Sequence, residues 1–400
     1  MAMSDERLLL ISADGHVGPP TGTYRAYLEP AERTDFDDFL AVHRFRWTPE
    51  EPDSMFSART RDRARAHPRF AETGYASLVD PARRLRELDR DGVAAEILFP
   101  DDQNRNTPPW LAGVAPQAFD RSYDPRLRLA GARAHNRWLT EFCSAAPDRF
   151  LGQILLGSLD DVDAAVAEVR RAHASGLTSG LFLPLDYYLP LYHHPRYEPL
   201  WNVCDDLGLA VTIHASDGGP GWYGDGWRGA AVYLSEIGFY AQRPLWCLLF
   251  GGVFDRHPDL KLVFTEGGSA WVPELLARLD GMAGSAMMRW TELEPLAGTP
   301  ADYFVRHCVV GNSLMSRADV DARADVGLGV LAWGSDFPHL EGSWPTVRES
   351  LQSLFAGIPL DEARLILGTN LARAYRLDPE RLSALAARIG PTPGELGLTA

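Results

Sequence analysis

Cysteine is scarce in this chain: four among 400 residues, at 143, 204, 247 and 308, with no Cys-x-x-Cys pair. Such spacing excludes a disulfide scaffold or a cysteine zinc ribbon, and the apolar or helical contexts predict four buried free thiols. No stretch reaches 18 mostly apolar residues, so no membrane span is expected. The start, MAMSDERLLLISADG, lacks the basic segment and long apolar run of a signal peptide, and a cytoplasmic protein is the default. Positive charge is also in deficit. Against 54 acidic side chains stand 39 basic ones, a net charge of −15, and no Lys/Arg cluster is interleaved with aromatics. Nucleic acid and acidic membrane surfaces are thereby excluded as general partners, because both need a basic field. No early GxGxxG joins a strand to a helix, and the glycines at 218, 219, 267 and 268 lack the lysine and hydroxyl of a phosphate-cradling loop.

What the chain does have is apolar content, 46% of its residues, which is ample for a large core. Length alone suggests two or three domains, although α/β barrels commonly spend more than about 200 residues on one. Eight short apolar runs are separated by helical patterns: 8–12, 94–99, 150–156, 179–183, 210–214, 261–265, 306–310 and 329–333. Helical periodicity occupies 81–91, 126–146, 161–174, 199–207, 235–250, 271–280, 318–324 and 346–375. Parallel strands buried on both faces read as continuous apolar runs, as these mostly do. The expected fold is therefore α/β, a (β/α)8 TIM-like barrel formed as one domain over 1–400. Between the first strand and the second, residues 17–77 are rich in Pro, Arg and Asp and read as an insertion covering the barrel mouth. An open doubly wound sheet is the structural alternative.

Barrel active sites are built where strands end. The first strand ends in Asp14-Gly15-His16, whose outer members share a face if the chain stays extended. The fifth ends in His214, the sixth in Glu266-Gly267-Gly268 and the eighth in Trp333-Gly334-Ser335-Asp336. One such residue is commonly a cap. Two carboxylates and two imidazoles from three strand ends instead suggest a mixed N/O metal site.

These segments resemble the amidohydrolase superfamily, and more closely the amidohydrolase-related branch of aminocarboxymuconate semialdehyde decarboxylase and the nonoxidative aromatic acid decarboxylases. The resemblance runs through ISADGHVGPP at 11–20, YHHPRYEPLWNVCDDLGLAVTIHA at 192–215, GVFDRHPDLKLVFTEGGSAWVPELLARLD at 252–280, WGSDFPHLEGSWP at 333–345 and ILGTNLARAYRLD at 366–378. It implies that Asp14, His16, His214 and Asp336 hold a metal ion, with Zn2+ favoured and Mn2+ the alternative. Glu266 stands where the decarboxylases usually carry a histidine. It is either a proton-transferring or metal-binding acid or a structural support. His339 is either the replacement proton carrier or an anchor for Asp336 or Glu341.

The implied reaction is nonoxidative decarboxylation of a small aromatic or unsaturated carboxylic acid, with Glu266 or His339 delivering the proton. The substrate would be planar and carboxylate-bearing, and the chain a homodimer. The same metal set would also serve hydrolysis of an ester, lactone or amide with Asp336 as base, a cyclising or dehydrating biosynthetic step, or a noncatalytic metal-binding role. Weaker site candidates are Asp217, His193, His194, Glu198 and Glu341, and the arginines Arg59, Arg61 and Arg228. Trp222, Tyr223 and Trp227, in the glycine-rich loop 217–229, are candidates to close over a planar substrate.

Overall fold

The computed structural model describes residues 6–43, 66–100, 107–111, 123–215, 226–289 and 296–399. Strands β1 (Leu10–Ser12), β3 (Val93–Pro100), β4 (Phe150–Leu155), β5 (Gly180–Phe182), β6 (Ala210–His214), β7 (Leu262–Thr265), β8 (Cys308–Asn312) and β9 (Leu331–Trp333) pair in that order, every pair parallel. The two-residue β2 (His16–Val17) continues β1 along the far end of β3, placing His16 opposite Phe99. Closure is made at the seam between first and last strands. Ala13 N donates to Trp333 O at 2.9 Å, Asp336 N to Asp14 O at 3.2 Å and His16 N to Phe337 O at 2.7 Å. The expected (β/α)8 barrel is what the chain forms.

Alternate residues of each strand serve two cores, as the period of a strand requires. Val211, Ile213, Leu262 and Phe264 belong to the layer shared with the surrounding helices, whereas Ala210 and Val263 join a second cluster with Ile11, Ile97 and Ala332. Tyr375 and Leu382 belong to that second cluster too. The Tyr375 hydroxyl lies 2.9 Å from Thr212 Oγ1, which donates to Gln153 at the same distance.

Helix ends follow local chemistry. Asp80 accepts from the amides of Ala82 and Arg83 to start Pro81–Asp91, and Gly92, at φ 81°, stops it in the left-handed region. One expected strand is displaced. Residues 306–307, read as its start, finish the helix Pro300–His307, whose N-terminus is held by a reciprocal Thr299–Asp302 capping box. The strand then runs Cys308–Asn312. The expected helix at 235–250 begins at Gly226, and the closing helical region divides at Ala356–Pro359.

Within residues 17–77, expected as an insertion, the described parts are short turns and helices: Thr21–Ala26, Pro30–Glu32, Arg33–His43, Pro68–Thr73 and Gly74–Leu78. Tyr24, Phe36, Phe70 and Leu78 bury their side chains in the same apolar cluster as the outer faces of the strands. Arg59 and Arg61 lie outside the described residues. All four cysteines are buried and unbridged, and burial pushes the Cys143 thiol up to about 12. No helix among the described residues is long and apolar enough to cross a membrane.

Candidate metal and catalytic site

Four strand ends deliver the candidate side chains to one point. On β6, Thr212 and His214 share the inward parity, so the imidazole continues the row of side chains inside the barrel. Glu266 and Asp336 both sit in left-handed backbone, at φ 62° and 55°. Such a conformation is uncommon for non-glycine residues and concentrates at functional sites. Here it redirects a carboxylate just as each strand, β7 and β9, gives way to its loop.

The donor atoms converge. His16 Nε2 lies 3.2 Å from both Asp14 Oδ1 and Asp336 Oδ1, and His214 Nε2 lies 3.5 Å from Asp14 Oδ1. Asp14, His16, His214 and Asp336 are all buried. Yet Asp14 Oδ1, His16 Nε2, His214 Nε2 and Asp336 Oδ1 make no hydrogen bond. Buried polar atoms are normally satisfied, and leaving one unmade is costly. For His16 the reason is in its other nitrogen, Nδ1, which lies 3.0 Å from the Pro100 carbonyl and donates to it. In the neutral ring this leaves the Nε2 lone pair facing carboxylate oxygens, an arrangement that a cation between them resolves. Asp14, His16 and His214 form one group whose ligand atoms lie within 4.8 Å of each other, and His16 reaches Asp336 and His339 in a second.

The acids divide by charge. Burial alone would raise the Asp14 carboxyl, but His214 and His16 beside it hold it well below the usual range. Asp336 is likewise lowered, burial being outweighed by His339 and His16. Burial acts against the His16 cation, which Asp14 and Asp336 nevertheless favour strongly. Glu266 goes the other way: burial, reinforced by the negative charges of Asp336 and Asp14, raises it well above an ordinary glutamate. Its side chain is 16% exposed, against 0–3% for Asp14, His16, His214 and Asp336, and its Oε2 lies 3.3 Å from His214 Nδ1. His339 is buried, stacked on His16 at 3.8 Å between ring centroids, with Nδ1 2.8 Å from Asp336 Oδ1.

Other candidates fall elsewhere. His194 Nδ1 accepts from the Arg196 amide at 3.2 Å, a capping contact, and His193 is exposed. Glu198 pairs with Arg256 at 2.9 Å and His257 at 3.1 Å. Glu341, exposed, shares a group with Glu266, Asp336 and His339. Arg228 is exposed on the helix from Gly226. Asp217, Trp222 and Tyr223 lie outside the described residues, as does the side chain of Trp227.

One partner escaped the sequence reading, and a second, Phe99, was read as the end of its strand. Ser313 donates its hydroxyl to Asp14 Oδ2 at 2.5 Å, leaving Oδ1 to face the histidines. Phe99 lays its ring 4.8 Å from that of His214 and 6.1 Å from that of His16. The polar pair Asn312-Ser313 at the end of the seventh barrel strand was the available signal. It was lost because that strand was placed two residues too early.

A family model for amidohydrolases matches residues 42–377, most of the chain and all but the first of the converging strand ends. The chain belongs to the amidohydrolase family. Within the family its kinship is to the aromatic acid decarboxylases. Gamma-resorcylate decarboxylase of Rhizobium sp. (strain MTP-10005) is 27% identical over 315 residues, covering 74% of this chain and 86% of that relative. The fold of this amidohydrolase is shared by 5-carboxyvanillate decarboxylase from Sphingomonas paucimobilis, with TM-score 0.63 and 23% identity over 93% of this chain and all of the other. Dihydroxybenzoic acid decarboxylase from Polaromonas sp. JS666, solved with bound manganese, has TM-score 0.62 and 17% identity over 94% and 99%. A 5-carboxyvanillate decarboxylase from Novosphingobium aromaticivorans, also complexed with manganese, has TM-score 0.61 and 18% identity over 94% and 98%.

The last two structures correct the preference for Zn2+: manganese is the ion they hold. The donor chemistry agrees, because two carboxylates harden the set toward an ion that favours oxygen ligands.

Proposed function

We propose that this amidohydrolase catalyses metal-dependent, nonoxidative decarboxylation of a small aromatic carboxylic acid, with Mn2+ as its ion. The reading rests above all on the four buried donor atoms that meet without hydrogen-bond partners. Kinship to the resorcylate and carboxyvanillate decarboxylases supports the substrate class. Asp14, His16, His214 and Asp336 would hold the ion. When bound, it would offset the negative charge of the substrate carboxylate and of an adjacent phenolic oxygen.

The chain's own residues supply the rest. Glu266, whose carboxyl burial raises well above its ordinary range, is more exposed than the proposed metal ligands, and we assign it the proton. Its proton goes to the ring carbon that bears the carboxylate. The bond from that carbon to the carboxylate then breaks, carbon dioxide leaves, and the bonding pair restores the aromatic ring. His339, stacked on His16 and against Asp336, holds both in place. Phe99 and Phe182, flanking His214 at 4.8 and 6.2 Å between ring centroids, offer an apolar wall to a planar ring.

The test is turnover of an ortho-hydroxybenzoate panel by the Mn2+-loaded chain in D2O. One carbon dioxide released and one deuterium placed at the vacated ring carbon are expected. Hydrolysis of an ester or lactone panel without carbon dioxide release from any carboxylate would overturn the reading.

A further inference from the structure

The helix Pro81–Asp91 carries an arginine whose charge is wholly buried. Arg84 and its partner Glu96 are both 0% exposed, and Glu96 is the only charged residue in β3. They form a two-pronged pair, Nε to Oε1 and Nη2 to Oε2, each at 2.7 Å. The guanidinium does not stop there. Nη1 donates to the carbonyl of His16 at 2.8 Å, Nη2 to the carbonyl of Phe337 at 3.0 Å, and Cζ lies 4.0 Å from the Phe337 ring centre.

Those two carbonyls belong to the segments that carry the converging donors. His16 is itself one, and Phe337 directly follows Asp336. The seam between the first and last strands passes between them, through the His16 N to Phe337 O bond and the pairing of Gly15 with Phe337. One rigid fork of donors thus grips both sides of the seam, while Glu96 holds the fork in position from β3. The same pair explains the glycine of Asp14-Gly15-His16. A Cβ at Gly15 would stand 2.7 Å from Arg84 Nη2 and 2.9 Å from Glu96 Oε2, too close for either.

A buried ion pair of this kind is poorly explained by stability, since apolar residues of similar volume commonly serve as well or better. We infer that Arg84, oriented by Glu96, is a positioning residue that sets the spacing between the Asp14–His16 and Asp336 ligands and so tunes affinity for the ion. The inference rests on the metal reading above. Arg84 touches neither ion nor substrate; it acts through the backbone of the residues that do.

The experiment uses the full chain stripped of metal, with Mn2+ binding followed by calorimetry and by the electron paramagnetic resonance of the bound ion. Two variants are compared with the parent. R84K keeps a charge for Glu96 but cannot span both carbonyls. The double variant R84M/E96L removes the pair without leaving an unpaired charge. Both should keep the parent's near-ultraviolet circular dichroism, bind Mn2+ about 10- to 100-fold more weakly, and broaden the Mn2+ signal. If the double variant does not fold, R84K carries the same comparison. Folded variants that bind within about twofold of the parent, with an unchanged Mn2+ spectrum, overturn the positioning role while leaving the metal reading intact. A parent chain that binds no Mn2+ overturns the metal reading, and this inference with it.

Discussion

At the scale of single residues, the site is a set of groups whose neighbours decide their charge. Asp14 and Asp336 lie against imidazoles and stay ionised; Glu266, although 3.3 Å from His214 Nδ1, is pushed toward its neutral form by burial and by the charges of the two acids. The residue types therefore say less than their surroundings do. Burial moves the Glu266 carboxyl in the direction that the proton-donating role proposed for it requires. Replacing Glu266 with Gln keeps the shape and removes the proton. Turnover in E266Q should fall by about 10²- to 10⁴-fold, with Mn2+ affinity near the parent's. Unchanged turnover in a steady-state assay would remove Glu266 from the mechanism. The ligand candidates were legible at this scale because strand ends are where barrels place their chemistry. Arg84 and Ser313 were not, because Arg84 grips backbone carbonyls and Ser313 meets a carboxylate hundreds of residues away, which no side-chain pattern records.

At the scale of elements, apolar runs marked the strands well, since a strand covered on both faces has little use for polar side chains. Pro81–Asp91 and Ala210–His214 match their expected bounds, one set by a capping aspartate and a left-handed glycine, the other by a short, mostly apolar run that ends in His214. Pro300–His307 was missed, being only eight residues long and next to an apolar strand. The helix Pro125–Cys143 carries a feature that periodicity also hides. Its His135 is fully buried, with Nδ1 2.9 Å from the Tyr24 hydroxyl at the start of the insertion. Burial lowers its pKa from 6.5 to about 3. A base whose folded pKa is depressed contributes full stability above its unfolded value and loses it as pH falls through the window from 6.5 toward 3. Between pH 7 and pH 5 this one residue should therefore cost about 2 kcal/mol. Urea unfolding at both pH values should show that loss in the parent and a smaller one in H135Q. Equal losses would mean that His135 does not titrate in this window.

At the scale of the whole molecule, strands far apart in sequence bring the candidate ligands of one ion together. Asp14 and Asp336 meet only because the last strand returns to the first, so assembling the site and closing the barrel are one event. An ion bound only by the closed barrel must then stabilise the entire fold. Free Mn2+ at about 100 times its dissociation constant should add about 2.7 kcal/mol to unfolding, and chelation should remove it. Differential scanning calorimetry with EDTA and with Mn2+ checks this, and coincident transitions would mean that folding and ion binding are uncoupled. The excess of acid over base, −15, fits the same picture in a small way. It disfavours polyanion partners, and three of the acids face the candidate centre instead of solvent alone.

The sequence by itself determined the barrel, the order of its strands and the places where chemistry would fall, because hydrophobic burial and capping are local and periodic. It also carried the candidate ligands at the ends of the first, fifth and eighth strands. Only the tertiary structure decided which donor atoms lack partners, which carboxyl is pushed toward its neutral form and how Arg84 bonds to both sides of the seam. Those properties depend on distances across the closed barrel and on exclusion of water, and neither is written in the spacing of residues along the chain.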